Sequence, residues 1–482
     1  MPNSLAFLTM TLWPFVTLAM YLLLPARTAV IWSILAGYLL LPAGMTLDLP
    51  GVPGMTKQNV PAVFGYFFAS AMLGRLIPLV PKSLAGRILV GLLLLGPVFT
   101  VVTNGDPVYI GNDTVLPGLR PYDAASMIVN QFGFLSIWAL SREVLSDRTA
   151  LRQLVTAFVI AFLWYSLPML YEVRMSPQLH TQIYGFFPHS FQQMMRQGGF
   201  RPIVFLEHGL WIAILTSMAV MLAVVLARDA APGRKLRWYA AAFYLLIVLV
   251  LCKSIAALLY AVLLMPMLLL FSGRRLAQIA MLMGVLVLTY PLLRSFDVIP
   301  TDSLVETAAE YSAERAQSLE FRFVNEDMLL SRAMQRPLFG WGGWGRNSVY
   351  DPQTGENIST TDGLWIIAMG YGGYAGFIGQ FGLLLLPIFM LTGAYRRTGQ
   401  EVSVFAAGVA VVLAVNLVDL LPNATITPVT WLFSGAMLGY LENLRRGEVG
   451  TGTAPAAAVP ASARPRFSGL VGQPVAGPRT LV

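Results

Sequence analysis

Apolar stretches long enough to cross a bilayer follow one another through this chain, and one polar loop of about 65 residues, from about Ser295 to Thr361, interrupts them. About 20 apolar residues span a hydrocarbon core as a helix, which satisfies every backbone N–H and C=O without water. The chain therefore reads as an all-α, polytopic integral membrane protein. Candidate spans lie near 5–24, 28–44, 60–80, 87–103, 122–140, 154–171, 203–227, 238–252, 255–272, 276–293, 362–392, 402–420 and 428–441. Two are weak, because 28–44 contains a proline and Arg75 interrupts the third, so twelve to thirteen crossings are expected. A chain this apolar has few places for polar chemistry, and the long loop and a second one, Glu172 to Arg201, are the main ones.

Composition narrows the classes. Charged residues make up 12% of the chain, about half the share of a soluble domain, and mean hydropathy is +0.66, which excludes a soluble multidomain enzyme. The net charge of +8 does not point to nucleic acid. The arginines gather in short loops as a topology signal: Arg142/Arg148/Arg152, Arg228/Arg234/Lys235/Arg237, Arg274/Arg275, Arg396/Arg397 and Arg445/Arg446. If the spans alternate, these share one side, which the positive-inside bias makes cytoplasmic. Loops 45–60, 104–121, 172–201, 295–361 and 421–427 then face outward. The arginines that remain there, against the bias, are candidates for function.

Cys252 is the only cysteine, so no intramolecular disulfide or cysteine metal cluster can form. The first residues lack the basic stretch of a cleavable signal peptide, and Phe7–Leu24 is expected to be a retained first span. Residues 1–446 read as the transmembrane domain. Residues 447–482, rich in Gly, Ala and Pro, read as a disordered cytoplasmic tail. No internal repeat is evident, which disfavours a transporter of repeated halves.

In the long loop, Ser303-Leu-Val-Glu306 has capping-box spacing and predicts a helix running to Gln335–Arg336, where Pro337 ends it. Phe321, Val324 and Met328 make an apolar packing stripe, while Arg315 and Arg322 share another face. That second face either meets solvent or aims Arg322 into a cavity. Residues 338–347, Leu-Phe-Gly-Trp-Gly-Gly-Trp-Gly-Arg-Asn, hold four glycines within six positions, with Trp341 and Trp344 among them. The glycines permit backbone geometries that other residues resist, and the indoles offer flat faces on which a sugar can stack; an interfacial tight turn is the alternative.

The second loop carries Arg174, Arg196 and Arg201. Arginine offers a fixed bidentate fork to phosphate, so three of them at a membrane surface point to an anionic ligand: a diphosphate or lipid head groups. Glu207-His208 lies just inside the next span, where ionisable groups face a cavity or pair. Lys253-Ser254 occupies a tight outer turn, and Asp362 opens the span after the long loop, as a helix cap or a catalytic carboxylate. No ligand spacing among His180, His189 and His208, and no phosphate-cradling loop with Lys-Ser/Thr, supports a metal or an ATP-driven pump.

These features together resemble the superfamily of O-antigen ligases and Wzy-type O-antigen polymerases, bacterial membrane enzymes acting on undecaprenyl-diphosphate-linked glycans. The resemblance spans roughly residues 170 to 390. Its most specific part is Arg322 to Gly345, an arginine, a helix, and Arg-Pro-Leu-Phe-Gly-Trp-Gly, similar to the family's Pro-Leu-x-Gly-x-Gly turn. Asp362-Gly-Leu-Trp through Gly370-Tyr-Gly-Gly-Tyr-Ala-Gly376, Arg201 with the next span, and Lys253-Ser254 extend it. Arg174…Gly185 and Arg332…Gly343 match the family's pairs of Arg and Gly separated by ten residues. One departure matters: family ligases carry a histidine at the end of the large loop, whereas this chain reads Thr360-Thr361-Asp362 and has no histidine from 209 to 482.

The resemblance implies a metal-independent, GT-C-like glycosyltransferase of the bacterial inner membrane with its site facing the periplasm and no cofactor. It would polymerise lipid-linked repeats into O-antigen or exopolysaccharide, beside chain-length or export proteins. Arg201, Lys253 and Arg322, with Arg174 and Arg196 as second choices, would hold the donor diphosphate. Asp362 would be the general base, with Glu207 or His208 as alternatives. A ligase, a flippase or exporter, and a structural partner of an export complex are the competing expectations.

Overall fold

The computed structural model describes residues 1–48, 53–111, 114–196 and 198–447, apart from the side chains of Tyr311, Glu314 and Arg315. All but the first residue of the expected tail, 448–482, lies outside the described residues. The helices are α1 (Ser4–Leu23), α2 (Ala26–Leu40), α3 (Val60–Met72), α4 (Leu84–Val102), α5 (Pro121–Val144), α6 (Arg148–Met175), α7 (Leu179–Tyr184), α8 (Gly209–Asp229), α9 (Pro232–Leu251), α10 (Ile255–Leu270), α11 (Gly273–Ser295), α12 (Thr301–Tyr311), α13 (Ala313–Met334), α14 (Leu364–Thr398), α15 (Val404–Asp419) and α16 (Pro428–Arg446). Among the described residues three short antiparallel strand pairs, 46–47 with 55–56, 108–110 with 114–116 and 195–196 with 199–200, decorate the loops.

The protein is an all-α polytopic membrane protein. Among the described residues seven helices, α1, α4, α5, α6, α8, α11 and α14, are long and apolar enough to cross a membrane, and α2, α3, α10 and α15 are shorter apolar helices. With α9 and α16, every expected span coincides with a helix. The loops separate into two sets, one at each end of the bundle. At the basic end, Arg27 pairs with Asp147, Arg75 with Glu143, and Arg148 and Arg152 with Asp229. At the other end, here called the loop end, the N-terminal Asn3 donates to Ile183, and Arg336 reaches Asp106.

α8 is almost wholly buried among α6, α9, α10 and α15, so the interior is helix on helix. Lipid leaves no hydrophobic drive between helices, so small residues that let backbones approach carry the packing. Gly435 and Gly439 of α16 do this against α5: a Cβ at Gly439 would stand 2.1 Å from the Arg142 carbonyl oxygen.

The long loop departs from the expected single helix. The chain turns at Ser312 and divides it into α12 and α13, and α12 starts at Thr301 with Pro300 before it, so Ser303 caps nothing. The inward face of α13 carries Asn325, Glu326, Leu329, Leu330 and Ala333, all buried, whereas Phe321 and Val324 are exposed. The expected apolar packing stripe therefore faces outward. Beside the apolar Leu329, Leu330 and Ala333, Glu326 gives α13 a polar anchor: it accepts from Tyr290 of α11 and Trp365 of α14 and pairs with buried Arg294.

The glycine-rich turn has a specific receptor. α14 breaks at Gly373, whose φ of 60° and ψ of −160° leave carbonyls and N–H groups without helical partners. The turn supplies them: Trp341 and Gly342 N–H donate to the carbonyls of Gly370 and Tyr371, at 2.8 and 3.0 Å. In return Tyr374 and Ala375 N–H donate to Pro337 and Leu338 at 2.7 and 3.0 Å. A Cβ at Gly340, where φ is +67°, would lie 2.6 Å from the Gly373 nitrogen, so only glycine allows this approach. Irregular backbone at membrane depth is tolerated where protein satisfies it in this way.

Candidate functional site

Two groups of charged side chains meet at the loop end around the start of α10. The first is built on the segment before α8. The sequence predicts a span from residue 203, but 203–208 is a buried, non-helical entry and α8 begins at Gly209. Its backbone is held from below. Glu172, at the end of α6 and fully buried, accepts from the N–H groups of Ile203, Val204 and Leu179 at 2.8, 2.7 and 3.0 Å. Lys57 donates to the Phe205 carbonyl, and Val204 sits at a φ of +51°, a strained value for a β-branched residue. This frame presents Arg201, which is 4% exposed, makes no ion pair among the described residues and leaves its Nε without a hydrogen-bond partner. Burial, with the charge of Arg196 beside it, pulls its guanidinium down to about 10, still cationic at neutral pH. Lys253, in the αL turn between α9 and α10 at φ +53°, donates from Nζ to the Arg196 carbonyl at 2.8 Å. Arg201, Arg196 and Lys253 thus lie side by side, and the buried Arg201 makes no ion pair among the described residues. A buried guanidinium of this kind is costly alone and is matched by an anion.

Arg174 does not join them: it is exposed at the end of α6 and makes no ion pair among the described residues. His208 and Glu207 are engaged elsewhere. The His208 Nδ1 caps α8 by accepting from Leu210 N–H at 3.0 Å, and Nε2 lies 3.2 Å from Gln193 Oε1. Those partners set the neutral tautomer with the proton on Nε2 and occupy the lone pair that a base would use. Glu207 accepts from Tyr38 at 3.1 Å and from Gln58 at 3.0 Å, on the side of Lys57, not of Arg201.

Burial, with Arg201, His189 and Arg196 nearby, pushes His208 down to about 3, and burial pushes His180 down to about 4. Both stay neutral in the folded state while the unfolded chain takes up protons below about 6.5, so stability present above pH 6.5 is lost as the pH falls towards 4 and 3. His208→Asn keeps an acceptor for the α8 cap and removes one of these titrations. It is expected to lose about 1–2 kcal/mol less stability between pH 7 and pH 5 than the wild type, measured by thermal unfolding in detergent.

The second group sits one and a half turns down α10 and across to α13. Arg322 lies on the docked side of α13, and its Nε stands 3.8 Å from Asp362 Oδ2, both side chains about one-third exposed. Asp362 does not cap α14; Gly363 occupies the cap position and the carboxylate turns to the arginine. The charge of Arg322 also acts on Tyr260 of α10 and on Asp419 at the end of α15. Asp419 is buried and accepts from Asn423 and Thr425 at 3.1 and 2.9 Å, and the same loop binds Leu364 N–H through the Leu420 carbonyl at 3.0 Å. Sequence reading passed over Asp419; the available signal was a carboxylate closing an apolar span. Tyr260 lies five residues into α10 from Ile255, about 8 Å along its axis from the end that carries the Lys253 turn.

The tryptophans separate. Trp341 is buried: the Arg332 guanidinium covers its ring at 3.4 Å, and its Nε1 donates to the Arg332 carbonyl at 2.7 Å. It is a packing residue, not an open stacking face. Trp344 is 53% exposed and keeps its face open. Among the described residues no three His, Cys, Asp or Glu side chains are grouped to hold a metal ion. Neither a protein-family model nor a curated protein matches this sequence.

Proposed function

We propose that this protein is a glycosyltransferase that polymerises lipid-diphosphate-linked oligosaccharides into a surface polysaccharide, as the resemblance to the O-antigen ligase and polymerase superfamily implies. The observation that carries the reading is the buried Arg201, which makes no ion pair among the described residues and has Arg196 beside it. A diphosphate is the leaving group of such a transfer, and preorganised cations stabilise the charge that develops on it. Arg322 completes the cation set from the α13 side. An acceptor hydroxyl attacks the anomeric carbon, the bond to the diphosphate oxygen breaks, and the lipid diphosphate leaves with the electron pair. The hydroxyl proton passes to Asp362, which substrate would draw away from its long ion pair with Arg322. A ligase could use the same groups; the lack of any histidine after His208 favours the polymerase.

The reading places the loop end outside the cytoplasm. Reporter fusions after Asp302 and Asn357 are expected to be active only as exported reporters, and fusions after Arg234 and Arg446 only as cytoplasmic ones. A cytoplasmic signal at Asn357 would put the site on the wrong side of the membrane for the donor and contradict the proposal.

A further inference from the structure

Beside the reacting groups, the loop end carries a groove of about 400 Å³ with a different character. It lies between the paired strands 108–110 and 114–116, the outer side of α13 and residues 348–350, and is lined by Tyr109, Met328, Ser331, Arg332, Gln335 and Tyr350 among others. Among the described residues no carboxylate lines it, and the one charged group there, Arg332, is already committed. The Arg332 guanidinium stacks on Trp341, donates from Nη2 to the Arg346 carbonyl at 2.9 Å, and donates from Nη1 to Gln335 Oε1 at 3.0 Å. Those contacts fix a flat polar floor and turn the Gln335 amide so that its Nε2 donors are free for a ligand. Tyr109, 75% exposed, stands at the rim on the strand paired with Val115.

Fixed planar donors beside open aromatic rings suit a neutral, hydroxyl-rich ligand: ring C–H faces lie on the aromatics while hydroxyls reach the amide and serines. A diphosphate would find no free cation here, and a lipid chain would strand the polar floor. We infer that this groove binds the saccharide portion of the glycan, several sugar units from the reacting end. Arg322 and Arg332 are ten residues apart on α13, about 15 Å, so an oligosaccharide repeat can lie along the helix with its reducing end at Arg322. The inference rests on the glycan-transfer reading above. It adds a site that senses the repeat itself and retains the product between additions.

The test uses full-length protein in nanodiscs and one probe: surface glycan released by mild acid from the cells that make this protein, labelled at its reducing end. Polarisation binding is expected with the wild type. It is expected to weaken about tenfold or more with Tyr109→Ala and with Ser331→Trp, which fills the groove from an exposed helix position. Arg322→Ala is expected to change this affinity less than about twofold, because the probe carries no diphosphate. In cells, the two groove variants are expected to give shorter polymer at normal protein levels. No wild-type binding, or equal binding by both groove variants, overturns the inference while leaving the transfer reading intact. If instead Arg322→Ala left polymer unchanged, the transfer reading would fall, and the binding result would still decide the groove.

Discussion

Replacing Arg322 by alanine is expected to abolish polymer formation while the protein inserts at normal levels. The side chain is one of the cations of the proposed donor site and stands 3.8 Å from Asp362, the proposed base. Losing one charge-assisted contact to a developing oxyanion removes about 2–4 kcal/mol of transition-state stabilisation, roughly a hundredfold to several hundredfold in rate. Arg322→Lys is expected to recover little, since a point charge cannot reproduce the bidentate fork. Val324→Ser, half exposed on the outward side of the same helix, serves as the control and should behave as wild type. The readout is the chain length of surface glycan on a gel, with lipid-linked single repeats accumulating in the Arg322 variant. Normal polymer from Arg322→Ala would reduce its ion pair to a structural contact.

Arg201→Met is expected to separate activity from stability more sharply than any other change. Arg201 is buried with its Nε unpartnered and Arg196 adjacent, so the folded protein carries an uncompensated charge. An apolar side chain of similar length removes that cost and keeps the packing, and swaps of buried ionic groups for apolar ones are often neutral or stabilising by about 1–4 kcal/mol. The thermal midpoint in detergent should hold or rise, whereas turnover should fall at least about a hundredfold. A functional site that holds charge at the expense of the fold behaves in this way. A variant with both lower stability and normal turnover would assign Arg201 to the fold instead.

The membrane-spanning architecture was legible because its signal is local: each span is one apolar run, and all thirteen runs became helices. The glycine-rich turn was legible for the same reason, as a stretch demanding unusual backbone angles. Its receptor was not, since the break at Gly373 acquires meaning only against residues 337–342. Tertiary pairing also reversed the reading of α13. Its apolar positions Phe321 and Val324 look outward, because Glu326 finds Arg294, Tyr290 and Trp365 and turns the face with Leu329, Leu330 and Ala333 inward. Trp341 was misread by the same logic, its face being taken by Arg332. Arg201, Lys253 and Arg322 stood out as basic residues in loops expected to face outward, against the positive-inside bias, and Asp362 as the acidic residue opening the span after the long loop. That Glu207 turns to the side of Lys57, that His208 is held by Leu210 and Gln193 beside Arg201, and that Asp419 joins Arg322 depends on how the 203–208 segment and the loop after α15 fold back.

The central claim is chemical, and purified protein in proteoliposomes tests it most directly. The substrate is a lipid-diphosphate-linked oligosaccharide from the same cells, supplied with a chelator present, and both products are followed. The account predicts that glycan length grows by whole repeats while free lipid diphosphate appears in equal amount, and that Arg322→Ala does neither. Unchanged substrate under these conditions, or turnover restored only by Mg²⁺ or Mn²⁺, would contradict it.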